Sequence, residues 1–268
     1  MGRASISVTV APSADPYERL APAYHLLSSA SVYDVWLGKL LGAVADAGVT
    51  VRTVLDVACG TGSSTLPMLE RGLDVTGTDR SLAMLAVAGA RLGPEVPLVP
   101  ADMRELPQLG EFDLVTCLDD SLNHLLSGAE LEAALRGMRA NLAPRGALVF
   151  DLNTLPTLRE TFSRDWIVEG DDTLLLWHGT GSPSLPAGGL TQAELSVLTR
   201  DEDQRFDRAR LVVEERHHPV IEMSTILERC GFDLVALHGQ RRGGHLEPLA
   251  GEHRHHKLVF LARRHEGR

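Results

Sequence analysis

The sequence predicts an open α/β fold, in which a mostly parallel sheet of seven strands carries helices on both faces and an inserted antiparallel lid. The main observation is that short apolar runs alternate with helical patterns through the first half of the chain. Such alternation indicates parallel strands, because a right-handed helical crossover lays each new strand beside the last in the same direction. The strand-like runs of the sheet span residues 51–58, 73–79, 96–102, 112–120, 146–153, 232–238 and 257–262.

A change of pattern after residue 153 predicts the lid. Three segments there carry charge at alternate positions, which is typical of strands with one solvated face. Residues 239–256, between the last two strands of the sheet, read as a mobile loop. We therefore divide the chain into a flexible arm (1–15), two N-terminal helices with the first half of the sheet domain (16–153), the inserted lid (154–218) and the C-terminal part of the same sheet (219–268).

Composition and charge exclude several classes of protein. A formal net charge of −10 argues against a nucleic-acid substrate, since enzymes of that kind present a basic face to the phosphates. The three cysteines are far apart and form no CxxC pair, which favours a reducing compartment. No stretch has the length of a signal peptide's apolar region or of a membrane helix. We expect a cytoplasmic protein with no membrane or nucleic-acid partner, as a monomer or homodimer.

The most informative motif is DVACGTG, residues 56–62, at the end of the first predicted strand. In open parallel sheets, ligands bind beyond the carboxyl ends of the strands, where the first strand-to-helix turn lies. Gly60 and Gly62 let the backbone bend sharply and let a ligand approach closely. Asp79 ends the second strand, where a carboxylate can bind both hydroxyls of a ribose, and Asp102 ends the third.

Two other nucleotide sites fit this turn poorly. A nicotinamide-binding GxGxxG would need a third glycine where Thr65 stands. A Walker phosphate loop would need GKS or GKT after the turn, and neither follows.

DVACGTG, then GTD with Ser81 and Met84, and then ADMREL together resemble the class I S-adenosylmethionine-dependent methyltransferases, which have a Rossmann-like sheet. The resemblance extends over residues 51–153. It implies S-adenosylmethionine as cofactor and S-adenosylhomocysteine as product. It also implies that Asp56, Gly60 and Gly62 face the methionine part, Asp79 the ribose, and Asp102 with Met103 the adenine. The other cofactor contacts that we expect are Tyr17, Tyr24, Ala58, Arg80, Met84 and Leu118.

On the acceptor side, His124 is the best candidate for a catalytic base, because it follows the fourth strand and an imidazole titrates near neutral pH. A structural histidine with a satisfied hydrogen bond is the alternative. The segment YERLAPAYHLL is similar to an opening helix whose aromatic side chain closes over the cofactor, with Tyr17 and Tyr24 in matching places. Together with His124 and the lid, Tyr17 resembles the amino-sugar and glycopeptide N-methyltransferases of antibiotic pathways.

Asp119 and Asp120 are a departure from that subfamily, which tends to have small or apolar residues before its histidine. The two carboxylates could hold a cationic amine, or they could cap the following helix. Further candidates for substrate contacts are Asn123, Trp177 and His178. Trp166 and Trp177 could either wall the acceptor pocket or staple the lid to the sheet.

The remaining histidines indicate no metal site. His253, His255 and His256 form an HRHH cluster without an acidic or cysteine partner at metal spacing, so we expect a solvated loop. His217 and His218 end a lid strand, where they could reach the substrate, but we expect an exposed strand end.

The sequence thus predicts a methyltransferase that acts on a small-molecule acceptor, and it favours an amine such as an amino sugar or another natural-product intermediate. The alternatives are an O-methyltransferase acting on a natural-product hydroxyl, and a protein of this fold that binds the cofactor without methylating.

Overall fold

The computed structural model describes residues 16–27, 30–200, 203, 205–248 and 250–265. The predicted arm over 1–15 lies outside these residues. The helices are α1 (Pro16–Leu20), α2 (Ala30–Asp46), α3 (Thr65–Leu69), α4 (Leu82–Leu92), α5 (Gly128–Ala140), α6 (Leu155–Phe162) and α7 (Val220–Arg229). Short 3₁₀ helices cover Ala21–Leu26, Met103–Glu105 and Ser121–His124.

The strands fall into two sheets. The larger sheet contains β1 (Thr53–Val57), β2 (Asp74–Asp79), β3 (Leu98–Pro100), β4 (Phe112–Cys117), β5 (Leu142–Asn153), β10 (Phe232–Arg241), β11 (His245–Pro248) and β12 (Lys257–Arg264). The smaller sheet contains β6 (Asp165–Glu169), β7 (Thr173–Gly179), β8 (Leu190–Arg200) and β9 (Phe206–Arg216).

The strand order of the larger sheet is β11-β10-β12-β5-β4-β1-β2-β3. Strands β1 to β5 pair in parallel, and β12 lies antiparallel between β5 and β10. The order reverses between β1 and β4, which is where ligands bind in open sheets of this type. The predicted fold class is therefore confirmed.

The sheet has eight strands where the sequence predicts seven. Strand β11 pairs antiparallel with β10, with Arg241 opposite His245 and His238 opposite Pro248. Gly243 and Gly244 both have positive φ in the tight turn between the two strands, a conformation that glycine adopts without steric cost. Part of the segment predicted as a mobile loop is therefore an ordered hairpin.

The central strands are buried on both faces. Along β5, Leu148, Phe150 and Leu152 point to the face covered by α5 and α7, while Ala147 and Val149 point to the face covered by α2. A strand covered on both sides reads as a continuous apolar run, as the sequence of β5 does. No helix among the described residues has the length and apolar character that crossing a membrane requires.

The smaller, antiparallel sheet is the lid. Alternate residues of its strands face inward, among them Leu175, Leu195 and Leu211, and pack on α6. The N-terminal region joins the same core, because Leu20 and Ala23 pack among these lid residues. The lid is thus fixed both to the end of β5 through α6 and to the N-terminal helices.

Replacing Phe150 with alanine should test the importance of the doubly covered core. The Phe150 ring stacks on Phe260 of β12 with ring centroids 4.8 Å apart, and both side chains are 0% exposed. We expect Phe150→Ala to lower the free energy of unfolding by about 3–5 kcal/mol, measured by urea denaturation. The control Ile221→Ala, at a side chain 83% exposed, should change it by no more than about 0.5 kcal/mol. Equal midpoints for the two variants would contradict this packing.

Candidate active site

A cavity of about 350 Å³ lies at the carboxyl ends of the sheet strands and beneath the lid, within the range typical of small-molecule sites. Its sheet end is lined by Ala58, Gly60, Asp79, Arg80, Met84, Ala101, Asp102, Met103 and Arg104. Its lid end is lined by Asn153, Thr157, Thr161, Trp166, Trp177, Leu195, Val213 and Glu215. Between the two ends are Tyr17, Leu20, Tyr24, Leu27, Asp119, Asp120, Ser121, His124 and Leu125.

The glycine turn after β1 shapes the sheet end. Ala58, Gly60 and Gly62 all have positive φ, of 55°, 56° and 77°. The Gly60 N–H donates to Asp79 Oδ2 at 2.9 Å, which ties the turn to the end of the neighbouring strand. A side chain at Gly62 would meet Leu92 of α4 at 2.8 Å, so this glycine packs the turn against a helix.

Asp79 faces the cavity in a fixed orientation. Its Oδ2 accepts from Gly60 N–H and its Oδ1 accepts from Ser81 N–H at 2.8 Å. A carboxylate oxygen can accept more than one hydrogen bond, so these two bonds orient Asp79 without excluding ligand hydroxyls. This geometry fits the ribose contact that the sequence predicts.

Asp102 combines a structural bond with a place on the cavity wall. It caps the 3₁₀ helix Met103–Glu105 by accepting from the Arg104 N–H, and it forms an ion pair with the Arg104 guanidinium. The hydrogen bonds from the Arg104 side chain hold the pKa of Asp102 below its usual value. Arg104 also reaches Glu130 on α5.

Asp56 does not line the cavity. Its buried carboxylate accepts from Ser64 Oγ and Thr65 Oγ1 at 2.7 Å and from Thr116 Oγ1 at 2.8 Å. Burial raises the pKa of Asp56, although these three hydroxyls oppose the shift. Asp56 therefore joins β1, the start of α3 and β4 behind the glycine turn.

Four other predicted residues also lie away from the cavity wall. Gly62 packs on Leu92, and Leu118 is buried in the core. Asn123 donates to the Arg216 carbonyl and accepts from Asn153 N–H, which joins β9 to β5. His178 is exposed and pairs with Asp165. Side chains alternate between the two faces of β7, so His178 points away from the face that carries its neighbour Trp177.

Tyr17 and His124 form a hydrogen-bonded pair between the two ends of the cavity. The Nδ1 of His124 lies 2.9 Å from the Glu214 carbonyl oxygen, which can only accept. This contact assigns the proton to Nδ1 and leaves Nε2 to accept from the Tyr17 hydroxyl at 2.8 Å. Burial lowers the pKa of His124 and raises that of Tyr17, so the pair is neutral at neutral pH.

Asp119 and Asp120 hold a cationic amine of the protein itself. Lys257 Nζ lies 2.8 Å from Asp119 Oδ1 and 3.0 Å from Asp151 Oδ2, and it also bonds Asp120 Oδ1. Burial alone would lower the pKa of Lys257, but the three carboxylates hold it well above its usual value. Of the two roles that the sequence left open, the side-chain cap is absent: Asp120 makes no capping bond to the helix Ser121–His124.

The backbone of this turn is bound as well. Asp119 and Asp120 both have positive φ, and their N–H groups donate to the two oxygens of Asp151 at 2.7 and 3.0 Å. Asp151 therefore fixes an unusual backbone conformation directly before the helix that carries His124.

Glu215 is a cavity residue that sequence reasoning missed. It is 4% exposed, and its Oε2 accepts from Asn153 Nδ2 at 2.9 Å. Burial raises the pKa of Glu215 to about 7. One carboxylate oxygen of Glu215, one of Asp120 and one ring nitrogen of His124 all lie within 4.8 Å of one another. The signal was present: Glu215 continues the inward phase of Leu211 and Val213 along β9, where an apolar residue is expected.

Trp166 and Trp177 form an aromatic wall at the lid end. Their rings stack with centroids 4.9 Å apart and an interplanar angle of 14°, and Phe162 packs edge-on against Trp177. The Trp177 Nε1–H donates to the Thr161 carbonyl, so its polar edge is satisfied.

The histidines near the lid differ from expectation. His217 and His218 are buried, at 1% and 2% exposed, where an exposed strand end was expected, because His217 bonds Glu252 and His218 bonds Arg216. Within the HRHH cluster, His253 is exposed, but His255 is buried and pairs with Glu247 of β11. The expectation of a wholly solvated loop was therefore wrong for His255.

A parallel sheet with a glycine turn after β1, and with carboxylates at the ends of β2 and β3, defines a class of α/β protein that binds a nucleoside cofactor at its strand ends. The profile described as a methyltransferase domain matches residues 54–146.

Proteins of similar sequence are also named as methyltransferases. A protein of Bacillus subtilis (strain 168), YqeM, whose name places it among the methyltransferases, is 30% identical over 223 residues, which cover 81% of this chain and 87% of that protein. The dTDP-3-amino-3,6-dideoxy-alpha-D-glucopyranose N,N-dimethyltransferase of Streptomyces fradiae is 30% identical over 197 residues, 73% of this chain and 71% of that one.

Solved structures share the fold. CalS10, an amino pentose methyltransferase from Micromonospora echinaspora solved with S-adenosylmethionine, superimposes with a TM-score of 0.67 at 25% identity and covers 96% of this chain and 100% of its own. A methyltransferase from Clostridium acetobutylicum ATCC 824 superimposes with a TM-score of 0.76 at 20% identity, covering 94% and 100%, and shows the fold alone. The chain belongs to the S-adenosylmethionine-dependent methyltransferases, and S-adenosylmethionine is its cofactor.

Glu215→Gln should flatten the dependence of stability on pH. The pKa of the Glu215 carboxyl is 4.5 when it is exposed and about 7 in the folded protein. Protonation of Glu215 therefore stabilises the fold fully below pH 4.5, and this stabilisation is lost as the pH rises through about 7. Between about pH 5 and about pH 8, we expect the wild type to lose up to about 3 kcal/mol more unfolding free energy than the variant. Denaturant unfolding at both pH values measures this.

The matched control for this measurement is Glu194→Gln, an exposed position on the outer face of the same lid sheet. It should follow the pH dependence of the wild type. Parallel curves for wild type and Glu215→Gln would contradict the raised pKa of Glu215.

Proposed function

We propose that this methyltransferase acts on the nitrogen of a small-molecule amine, such as an amino sugar or another natural-product intermediate. The observation that carries the proposal is the Tyr17–His124 pair, which lies in an enclosed cavity between the sheet end and the lid end. The names of relatives support it, since the Streptomyces fradiae protein is named as an amino-sugar N,N-dimethyltransferase. CalS10 is likewise described as an amino pentose methyltransferase involved in calicheamicin biosynthesis.

The residues at the sheet end fit S-adenosylmethionine. We assign the ribose hydroxyls to Asp79 and the adenine to Asp102 and Met103, with Met84, Ala58 and Arg80 beside them, as all of these line the same wall. The backbone at Gly60 approaches Tyr24 closely: a Cβ there would lie 3.9 Å from the tyrosine ring. Tyr24 therefore covers the turn from the N-terminal side, and Tyr17 packs edge-on against Tyr24. When bound, S-adenosylmethionine supplies the electrophilic methyl group.

The acceptor nitrogen is placed by Tyr17. The Tyr17 hydroxyl donates its hydrogen bond to His124 Nε2, so a hydrogen bond between its oxygen and a ligand N–H is one in which the oxygen accepts. An amine held in this way keeps its own lone pair for the methyl group. His124 positions the Tyr17 hydroxyl and acts as a base through it. When an ammonium N–H bonds the hydroxyl oxygen, its proton passes to that oxygen as the hydroxyl proton passes to His124 Nε2, and the nitrogen gains its lone pair.

The lid and the N-terminal helices exclude water from this point. Leu20 packs among the inner lid residues, and Tyr17 on the same helix bonds His124 beneath them. Exclusion of water strengthens every polar contact inside the cavity and protects the alignment of the nucleophile.

Incubation with S-adenosylmethionine and a matched panel of amino sugars and phenols tests the proposed function. We expect some of the amines, and none of the phenols, to gain the mass of one or more methyl groups. Gain on phenols alone would establish an O-methyltransferase instead. No gain on any compound, with the cofactor bound, would favour a protein that binds without methylating.

The control for this assay removes the cofactor contact. Asp79→Ala should weaken cofactor binding by more than about tenfold, because paired hydroxyl contacts worth on the order of 1.5–3 kcal/mol are lost. Asp74→Ala, an exposed residue at the opposite end of β2, should bind the cofactor as the wild type does. Isothermal titration compares them, and equal affinities would overturn the assignment of Asp79.

His124→Ala and Tyr17→Phe should each lower turnover, the former by roughly 100-fold, with little change in cofactor affinity. If His124 acts through Tyr17, the double variant should be no slower than the slower single variant. Steady-state kinetics on the methylated amine measures this, and His253→Ala, at an exposed histidine, is the control. Losses that multiply in the double variant would show that the two residues act independently.

A further inference from the structure

We infer that the acceptor is an amine with a phosphate-free body that presents an apolar face, and that Glu215 binds its ammonium group. This inference rests on the proposed N-methyltransferase function and narrows its substrate class. It departs from the Streptomyces fradiae relative, whose name specifies a sugar linked to dTDP and thus to a diphosphate.

The distribution of charge around the cavity argues against a diphosphate. Among the lining residues that the structure describes, the lysine or arginine side chains are Arg80 and Arg104, and both belong to the sheet end beside Asp79 and Asp102. Lys257 is not on the wall, and three carboxylates already surround it. A diphosphate at the lid end would instead face Glu215, with no lysine or arginine among the described lining residues of that end to pair with it.

The apolar half of the lid-end lining indicates that the acceptor has an apolar face. Trp166 and Trp177, which stack on each other, both line this end, and Leu195 and Val213 line it as well. Such a surface suits the apolar face of a deoxygenated sugar ring or an aromatic ring, and aromatic side chains bury large areas at such contacts. The polar half of the described lid-end lining consists of Asn153, Thr157, Thr161 and Glu215, which leaves room for hydroxyl groups on the acceptor but includes no lysine or arginine.

Glu215 supplies a negative charge that can pair with the ammonium group of the acceptor near Tyr17 and His124. It lies on the cavity wall in line with Val213, and Asn153 fixes its orientation through Oε2. Its carboxylate is close to His124, which bonds Tyr17, so an ammonium at Glu215 lies next to the Tyr17 hydroxyl. The ammonium must lose one proton before its nitrogen can accept the methyl group, and that proton passes through the Tyr17 hydroxyl to His124. A buried carboxyl is costly when ionised, and a cationic ligand beside it lowers that cost.

One amino sugar presented in two forms tests the inference. The probes are the phenyl glycoside and the dTDP conjugate of 3-amino-3,6-dideoxyglucose, each incubated with the full-length enzyme and S-adenosylmethionine. We expect kcat/KM to be at least about tenfold higher for the phenyl glycoside. Equal values, or a preference for the dTDP conjugate, would overturn the inference and leave the proposed N-methylation standing.

If neither form of the amino sugar is methylated, a binding measurement still distinguishes the further inference from the proposed function. Trp166 and Trp177 line the cavity, whereas Trp36 is buried on α2, so ligand binding can be read from tryptophan fluorescence in the presence of S-adenosylhomocysteine. Binding of the phenyl glycoside at least about tenfold tighter than the dTDP conjugate would support the inference. Absence of methylation would then count against the proposed function alone. Equal or inverted affinities would overturn the inference.

A charge-neutral variant tests the role of Glu215. Glu215→Gln should weaken binding of the phenyl glycoside by about tenfold or more, but should leave unchanged the binding of the analogue with a hydroxyl in place of the amine. Glu194→Gln, on the outer face of the lid, should bind both as the wild type does. Equal weakening for amine and hydroxyl analogue would show that Glu215 only supports the shape of the cavity.

Discussion

The site depends most on the buried ion cluster around Lys257. One ammonium from β12 binds carboxylates from the turn after β4 and from β5, and so joins three adjacent strands at their ends. Asp151 bonds the Asp119 and Asp120 backbone in the same cluster. Because that turn leads directly into the helix that carries His124, the position of the imidazole follows from this cluster.

The sequence could predict those site residues that lie at the ends of strands close to one another along the chain. Asp79 and Asp102 end consecutive strands of a parallel sheet, so both had to reach one edge, and both line the cavity there. The fold class follows from the same alternation of strands and helices. The domain boundaries and the roles of single residues remain predictions.

The remainder could not be predicted because it depends on pairings distant in the sequence. Lys257 lies opposite Asn153 in the register of β12 and β5, and nothing near residue 257 identifies β5 as its neighbour. The sequence offered Asp119 and Asp120 either as partners for a cationic amine or as a helix cap, and it does not show that the protein itself supplies an amine. Glu215 could have been found, since it interrupts an apolar phase on β9, and the eighth strand was missed because a four-residue edge strand gives little periodicity.

Helix α1 contacts elements at both the sheet end and the lid end of the cavity. Tyr17 bonds His124, Glu18 accepts from the Ala83 N–H of α4 at 3.5 Å, and Leu20 packs into the lid core. These contacts lie on five consecutive residues, so one short helix bears on the histidine, on α4 beside the cofactor end and on the lid. A substitution that displaces α1 would therefore disturb the cofactor side and the acceptor side of the cavity together.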